Sequence, residues 1–237
     1  MAEVVYDLIV CGDSFCSASV VDLKMVGRRA HFSDILEDRY GLRVLNLAHG
    51  GVGNTCILFQ MQQAEQLKPG AVIYNRTWSS RLDVVLNNHF NLEKGLANFA
   101  YFDPSNRSYH TSYVGTIERG ASILNAVRNC AEQSPFYRLS QQQLRAYDMT
   151  LVHMFHEGLA TELHRWLFEY WHQRLESAGI TAIDFRDDDI GKVAYDFCLT
   201  CPNYDTPWHT DRATQDIIAA NVYKRLTSAA ETCNITT

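Results

Sequence analysis

The stretch "LIVCGDSFCSAS" (residues 8–19) decides how the chain begins to fold. Its first four residues are apolar, which is typical of a buried strand, and the glycine after them predicts a turn that ends the strand. Ser14 therefore follows almost directly after the strand. A Gly-Asp-Ser turn either simply ends a strand or places a serine hydroxyl for chemistry. The rest of the sequence has to distinguish between these two interpretations.

Strand and helix patterns alternate through the first third of the chain and return near its end. Short runs rich in β-branched residues predict strands, and apolar residues at helical spacing predict helices. The predicted strands cover residues 4–11, 42–48, 71–78, 180–185 and a short segment at 192–199, and the predicted helices cover residues 28–41, 54–67 and 210–229. This order favours a parallel sheet with right-handed crossovers. The sequence therefore predicts an α/β fold, namely a flavodoxin-like three-layer α/β/α sandwich with about five strands.

An insertion at residues 82–178 separates the third and fourth predicted strands. Residues 79–115 mix Asn, Gly, Pro and Tyr irregularly and predict loop, whereas residues 116–133 and 140–179 have helical spacing. One unbroken helix over the latter range would be too long for one layer of a compact domain, so we expect a break, best placed at Gly158. The insertion is thus predicted to be mostly helical and to serve as a lid or as an oligomer contact.

The composition fits one soluble domain that spans residues 1–237. The chain is 46% hydrophobic and 20% charged, with a formal net charge of −6. No Lys/Arg-rich run favours nucleic acid or an anionic membrane, and no apolar run is long enough to span a bilayer. The sequence shows no signal peptide, and its seven cysteines are predicted to be reduced thiols. We therefore expect a cytoplasmic protein.

Chemically useful side chains follow the predicted strands, whose carboxyl ends lie at one edge of a parallel sheet. Ser14 follows the first strand, "HGGVGN" (residues 49–54) the second and "TWSSR" (residues 77–81) the third, while Asp205 and His209 precede the last helix. A serine needs a base, an imidazole suits that task near neutral pH, and a carboxylate orients the imidazole. The glycine turn supplies N–H donors for an oxyanion, and it fits neither the P-loop nor the dinucleotide pattern.

Three motifs together resemble those of the SGNH, or GDSL-type, hydrolase family: "IVCGDSFCS", "LNLAHGGVGNT" and "DTPWHTDRATQDIIA". The resemblance covers residues 4–81 and about 180–225. It implies a serine esterase in which Ser14 is the nucleophile, His209 is the base and Asp205 orients His209. The family has its carboxylate three residues before the histidine, whereas here the spacing is four.

The resemblance also implies an oxyanion hole. Its backbone donors are the N–H groups of Ser14 and Gly51, and Gly51 is preferred over Gly53. The family's third block is Gly-x-Asn-Asp, where this chain has "YNRTWSSR". Aligned by strand length, Thr77 takes the place of the glycine and Ser79 that of the asparagine, so a hydroxyl of either residue is the candidate for the third donor.

Other residues leave alternatives open at this stage. Asn75 is expected inside the third strand, and Asp211 and Asp196 are alternatives to Asp205 as the carboxylate. A "CLTC" segment (residues 198–201) is a single pair without a second one, so structural thiols are favoured over zinc or redox chemistry. A further set of helical side chains has spacing that fits no zinc-protease or di-iron motif, so no metal site is expected there. This set consists of His153, His156, Glu157 and His164.

The leading hypothesis is a carboxylesterase- or acetylesterase-like serine hydrolase that works through an acyl-enzyme and needs no metal or organic cofactor. Its expected partner is a small-molecule or carbohydrate ester. Two alternatives remain: a binding or assembly module with weakened chemistry, and an acyltransferase to a sugar or alcohol. Aromatic residues around more than one face of the long helix predict a lid or a homo-oligomer contact through the insertion. They are Trp166, Phe168, Tyr170 and Trp171.

Overall fold

The computed structural model describes residues 6–13, 15–17, 31–48, 53–77, 82–85, 100–103, 108–111, 114–117, 142, 157–186, 190, 192 and 211–234. These residues contain, in chain order, β1 (Leu8–Cys11), α1 (Phe32–Tyr40), β2 (Val44–Asn46), α2 (Asn54–Leu67), β3 (Ala71–Tyr74), β4 (Leu82–Val85), β5 (Ala100–Asp103), β6 (Ser108–Thr111), β7 (Val114–Ile117), α3 (Glu157–Ser177), β8 (Thr181–Asp184) and α4 (Arg212–Asn234). No helix within these ranges is long and apolar enough to cross a membrane.

A parallel sheet forms the centre of the fold, with its strands in the order β2–β1–β3–β8. Leu8 of β1 pairs with Val44 on one side and with Ala71 on the other. This strand order matches the start of a flavodoxin-like sheet and confirms the predicted α/β class. The sheet has four strands in the described part of the chain. Lys192 is helical, so the further strand predicted for residues 192–199 does not begin at that residue.

Helices cover both faces of this sheet. Leu8, Val10 and Ile73 point to one face, where they share a core with buried residues of α1 and α4. Tyr74 points to the opposite face, because side chains alternate along a strand. Its hydroxyl lies 2.9 Å from Nδ1 of His172 in α3. The sheet is therefore the middle of three layers.

The first two helices end where the sequence predicts, but α1 begins at Phe32, later than the predicted start at residue 28. The His31 side chain accepts a hydrogen bond from the Ser33 N–H and caps α1. Gly41 ends the helix in a left-handed conformation with φ 69°, and its N–H donates to the Glu37 carbonyl. The helix α2 has the bounds expected for residues 54–67. Local capping signals therefore fix these boundaries.

The chain divides into two compact units. The first consists of Met1–Gly50, Met61–Arg76 and Trp171–Thr237, and the second consists of Gly51–Gln60 and Thr77–Tyr170. The first unit contains the parallel sheet with α1 and α4. The second contains the first part of α2, most of α3 and two antiparallel ribbons.

The two ribbons correct the loop predicted for residues 79–115. β4 pairs with β7, and β5 pairs with β6. The prediction is wrong because these strands lack the wholly apolar runs of the central sheet, as "AYFD" in β5 and "SYHT" in β6 show. Such short strands carry little alternating pattern, and they form by pairing with segments distant in the sequence. The described part of the predicted helical insertion thus holds four strands besides one helix.

The helix α3 forms the second half of the helical stretch predicted for residues 140–179. It begins at Glu157, and Gly179 follows its end with φ 76°. Residues 143–156 lie outside the described part, so the break near Gly158 stays a prediction. Phe168 is buried, but several large apolar side chains of this helix are exposed. They are Leu159, Leu163, Trp166, Leu167 and Tyr170.

Candidate active site

The structure describes one of the residues predicted to carry the chemistry. Thr77 lies within the described part of the chain. Ser14, Gly51, Asp205 and His209 lie outside it, so their meeting in one site stays a prediction. Residues next to these positions along the chain are described, and they form the turn after β1 and the end of β3.

A tight turn follows β1 at its carboxyl end. The Cys16 N–H donates to the Asp13 carbonyl over 3.1 Å. Gly12 has φ 154°, and a Cβ atom at this position would lie 2.9 Å from the Cβ of Cys16 and 3.0 Å from the Cβ of Asn75. Real Cβ atoms almost never come this close, and L side chains rarely adopt such a φ. Glycine is thus the residue that this turn requires.

The Asp13 carboxylate is buried inside the turn and is 1% exposed. Its Oδ1 accepts hydrogen bonds from Nδ2 of Asn75 at 2.9 Å and from the N–H of Phe15 at 3.1 Å. A buried carboxylate is stable only with such partners. These bonds fix the chain immediately before and after position 14.

Asn75 corrects the expected end of the third strand. The sequence predicts a strand through residue 78 with Asn75 inside it, but β3 ends at Tyr74. The Asn75 N–H still donates to the Cys11 carbonyl over 3.0 Å. β1 ends at Cys11, and the Asn75 side-chain amide bonds Asp13 just beyond that end. An amide residue directly after the buried run "AVIY" is the signal that identifies this position.

Asn46 holds the same turn from the other side of β1. Its Nδ2 donates to the Cys16 carbonyl at 2.8 Å and to the Ser33 hydroxyl at 3.2 Å. Its Oδ1 accepts from the Ala48 N–H at 3.0 Å. The end of β2, the turn after β1 and the start of α1 are therefore joined by one amide.

Charged groups also lie at this edge of the sheet. Arg76 Nη2 and Asp184 Oδ2 are 2.7 Å apart, and Asp184 Oδ1 accepts from the Arg186 N–H at 2.9 Å. Burial raises the pKa of the Cys16 thiol well above its usual range, and the carboxylates of Asp13 and Asp184 raise it further. Cys16 is therefore a neutral thiol at neutral pH and no nucleophile.

Thr77 is held through its backbone in the second unit. Its N–H donates to Oδ1 of Asn54 at 2.9 Å, and its carbonyl accepts from Nδ2 of the same amide at 3.1 Å. The Thr77 side chain is buried, and its hydroxyl oxygen has no hydrogen-bond partner among the residues that the structure describes. Asn54 is a further residue that the sequence reasoning missed.

His164 of α3 also contacts this amide. Its Nδ1 lies 3.3 Å from Nδ2 of Asn54. Burial lowers the pKa of His164 below 6.5, which favours the neutral ring whose Nδ1 accepts a hydrogen bond. Within the described ranges, no group of three His, Cys, Asp or Glu side chains is arranged to hold a metal ion.

Asp211 has a structural task at the start of α4. Its Oδ1 accepts from the Thr214 N–H at 2.8 Å, which is the geometry of a helix N-cap. Gln215 follows Thr214 in α4. Its Oε1 accepts a hydrogen bond from the Phe32 N–H at 2.7 Å and joins α4 to α1. Asp211 was an alternative to Asp205, and capping explains its presence without catalysis. Asp196, the other alternative, lies outside the described residues.

The carboxyl edge of a parallel sheet is where ligands bind in open α/β folds. In the first unit this edge carries a rigid polar network around the turn after β1, made by Asp13, Asn46, Asn75 and the Arg76–Asp184 pair. Such a network suits the support of a nucleophile, because its groups bond one another and hold the turn in one geometry. Neither a protein-family model nor a curated protein sequence matches this chain.

Proposed function

We propose that the chain is a serine hydrolase of the SGNH type that cleaves carboxylic esters through an acyl-enzyme. The observation that carries the proposal is the turn around position 14. Gly12 fits there for steric reasons, and Asp13 is buried and bonded to both Asn75 and Phe15. An ordinary strand-ending turn needs neither a buried carboxylate nor an amide from the next strand. A turn that must hold a reactive side chain in one geometry needs such support.

The proposed reaction begins when Ser14 Oγ attacks the ester carbonyl while His209 accepts its proton, with Asp205 orienting the imidazole. The N–H groups of Ser14 and Gly51 and the hydroxyl of Thr77 stabilise the oxyanion. The tetrahedral intermediate then collapses, His209 returns the proton to the leaving alcohol, and the acyl group stays on Ser14. Water, deprotonated by His209, attacks the acyl-enzyme and releases the acid.

The substrate class is a small-molecule or carbohydrate ester, and the proposed location is the cytoplasm. Three of the cysteines are buried free thiols. They are Cys11, Cys16 and Cys56.

A fluorophosphonate probe tests the proposal directly. We expect one adduct on the intact protein, which is lost in Ser14→Ala. The matched control is Ser177→Ala, because Ser177 is an exposed serine of α3 whose hydroxyl donates to a backbone carbonyl. This control should label like the wild type. No adduct on a folded wild-type protein, or equal labelling of Ser14→Ala, contradicts the proposal.

One observation favours the second candidate, an assembly module. The exposed apolar residues of α3 recur at i, i+4, i+7, i+8 and i+11, which is the spacing of a face that packs against another helix. They are Leu159, Leu163, Trp166, Leu167 and Tyr170. A stable oligomer that Trp166→Glu dissociates, together with no ester turnover above that of Ser14→Ala, supports this candidate. Product analysis with an added sugar or alcohol acceptor separates hydrolysis from acyl transfer.

A further inference from the structure

The Asn54 side chain, at the first position of α2, holds the backbone of Thr77. Its carbonyl oxygen accepts from the Thr77 N–H at 2.9 Å, and its NH₂ donates to the Thr77 carbonyl at 3.1 Å. Both residues are buried, with Asn54 at 2% and Thr77 at 5% exposure. We call these two bonds the Thr77 clamp. Because they have opposite polarity, only one orientation of the amide satisfies both.

His164 of α3 contacts the donor end of the same amide. Its Nδ1 lies 3.3 Å from Nδ2 of Asn54. The clamp fixes Nδ2 as the donor, so Nδ1 has to be the acceptor in this contact and the proton of the neutral ring has to lie on Nε2. The Thr77 clamp therefore selects one tautomer of His164.

A second proton on the His164 ring conflicts with the Thr77 clamp. The protonated imidazole carries an N–H on both nitrogens, so Nδ1 would face the Asn54 NH₂ as one donor against another. Turning the amide by half a rotation would offer His164 an acceptor, but it would break both bonds to Thr77. No orientation of Asn54 therefore satisfies Thr77 and a protonated His164 in this position at the same time.

We propose that His164 is a pH-dependent latch on the Thr77 clamp, which keeps the clamp closed while the ring is neutral and loosens it when the ring gains a proton. Loosening frees the stretch between β3 and β4, to which Thr77 belongs, from the start of α2. The three residues all lie in the second unit. The proposal does not depend on the esterase function.

The direction of the pH effect follows from the burial of His164. This residue is half-buried, and burial lowers its pKa from 6.5, so the ring is neutral at neutral pH. The folded protein then binds the proton less readily than the unfolded chain does. The stabilising contact is fully present above pH 6.5 and is lost as pH falls through the lower pKa of the folded state.

The neighbours of His164 along the two helices agree with burial as the cause. On α3, the residues one turn away are not titratable; they are Ala160, Thr161, Leu167 and Phe168. Glu162 and Arg165 of the same helix pair with each other at 2.8 Å and are well exposed. In α2, residues 54–60 belong to the same unit, and their one titratable side chain is the buried thiol of Cys56.

NMR of the histidine ring nitrogens tests the geometry on the unaltered protein. Above neutral pH we expect the Nε2–H tautomer for His164, and an Nδ1–H tautomer overturns the proposal. On acidification, the signals of the Asn54 NH₂ and of the Thr77 N–H should shift with the same midpoint as the His164 ring. Signals that stay in place, or that shift with a different midpoint, also overturn it.

Hydrogen exchange measures the clamp itself. The protection of the Thr77 N–H, corrected at each pH for the exchange rate of an unfolded amide, should fall about 2–10-fold as His164 gains its proton. The reference is the Asn75 N–H, which lies two residues earlier and donates to the Cys11 carbonyl at 3.0 Å. Its protection should not change over this range. An equal fall at both amides indicates general loosening of the fold and contradicts a latch at His164.

Two variants assign the effect to one histidine. In His164→Gln the protection of the Thr77 N–H should no longer depend on pH. The matched control is His172→Gln, because His172 is a histidine of the same helix whose Nδ1 contacts the Tyr74 hydroxyl instead. This control should keep the pH dependence of the wild type. A dependence that survives in His164→Gln, or that disappears in His172→Gln, refutes the assignment to His164, and the NMR measurement decides the matter if either variant fails to fold.

Discussion

Gly12→Ala is the substitution that tests the turn after β1 most sharply. The new Cβ would lie 2.9 Å from the Cβ of Cys16 and 3.0 Å from that of Asn75, and both of these atoms are attached directly to the backbone. Neither can move without moving the chain. The backbone conformation at φ 154° adds strain, which costs about 1–3 kcal/mol for a residue with a side chain. Overpacking adds about 1–3 kcal/mol, so the expected loss is about 2–6 kcal/mol.

Urea unfolding and thermal melting measure this loss. For a chain of this length, each kcal/mol lowers Tm by about 2–4 °C. The control is Gly41→Ala, because Gly41 also has a positive φ, 69°, but nothing lies within 4 Å of its Cβ position. That control carries only the conformational cost of about 1–2 kcal/mol. If Gly12→Ala is no less stable than Gly41→Ala, the close approach around Gly12 is refuted as the reason for this glycine.

Three further predictions concern charges. Arg76→Gln should cost about 3–5 kcal/mol, because it removes the cation that lies 2.7 Å from the nearly buried Asp184 carboxylate. Arg43→Gln breaks an exposed pair and should change the urea midpoint little, and equal effects of the two variants contradict the argument. Burial lowers the pKa of His164 from 6.5, so the unfolded chain binds this proton more readily and stability falls as pH drops below about 6.5. Urea midpoints measured above and below that pH should differ less in His164→Gln than in the wild type. An unchanged difference contradicts the claim that His164 causes this pH dependence. Asp211→Ala should lose about 1 kcal/mol from the lost helix cap, whereas Asp211→Asn should keep both stability and kcat. A large fall in kcat for Asp211→Asn would instead make this residue the catalytic carboxylate.

The sheet could be predicted from the sequence because each of its strands is locally encoded. Runs such as "LIVC" and "AVIY" are wholly apolar, and they end in turn residues. The bounds of α2 were also predictable, since Lys68-Pro69-Gly70 cannot continue a helix. The ribbons in the insertion were not, because their short strands are defined by partners far along the chain.

In the candidate site, too, local features could be predicted from the sequence, whereas contacts between distant segments could not. The sequence predicts a role for Ser14 from the Gly-Asp-Ser turn, which is a local motif. It does not show that Asn75 leaves the strand to bond Asp13, or that Asn54 holds Thr77 by its backbone. Both contacts join distant segments, and an asparagine in a turn has many other uses. The meeting of Ser14 with the residues of the last loop stays a prediction.

Because Cys16 is buried, the rate at which a thiol reagent modifies it reports how often the turn after β1 opens. Its N–H and its carbonyl are both hydrogen-bonded, and its raised pKa keeps it protonated. A thiol reagent reaches it only during moments when the chain around it opens. The rate of its modification in the native protein therefore counts those openings, next to the very residue on which the proposed chemistry depends. Compounds that bind at this edge of the sheet should lower the rate of Cys16 modification. A screen for such protection can therefore find ligands before any substrate is known.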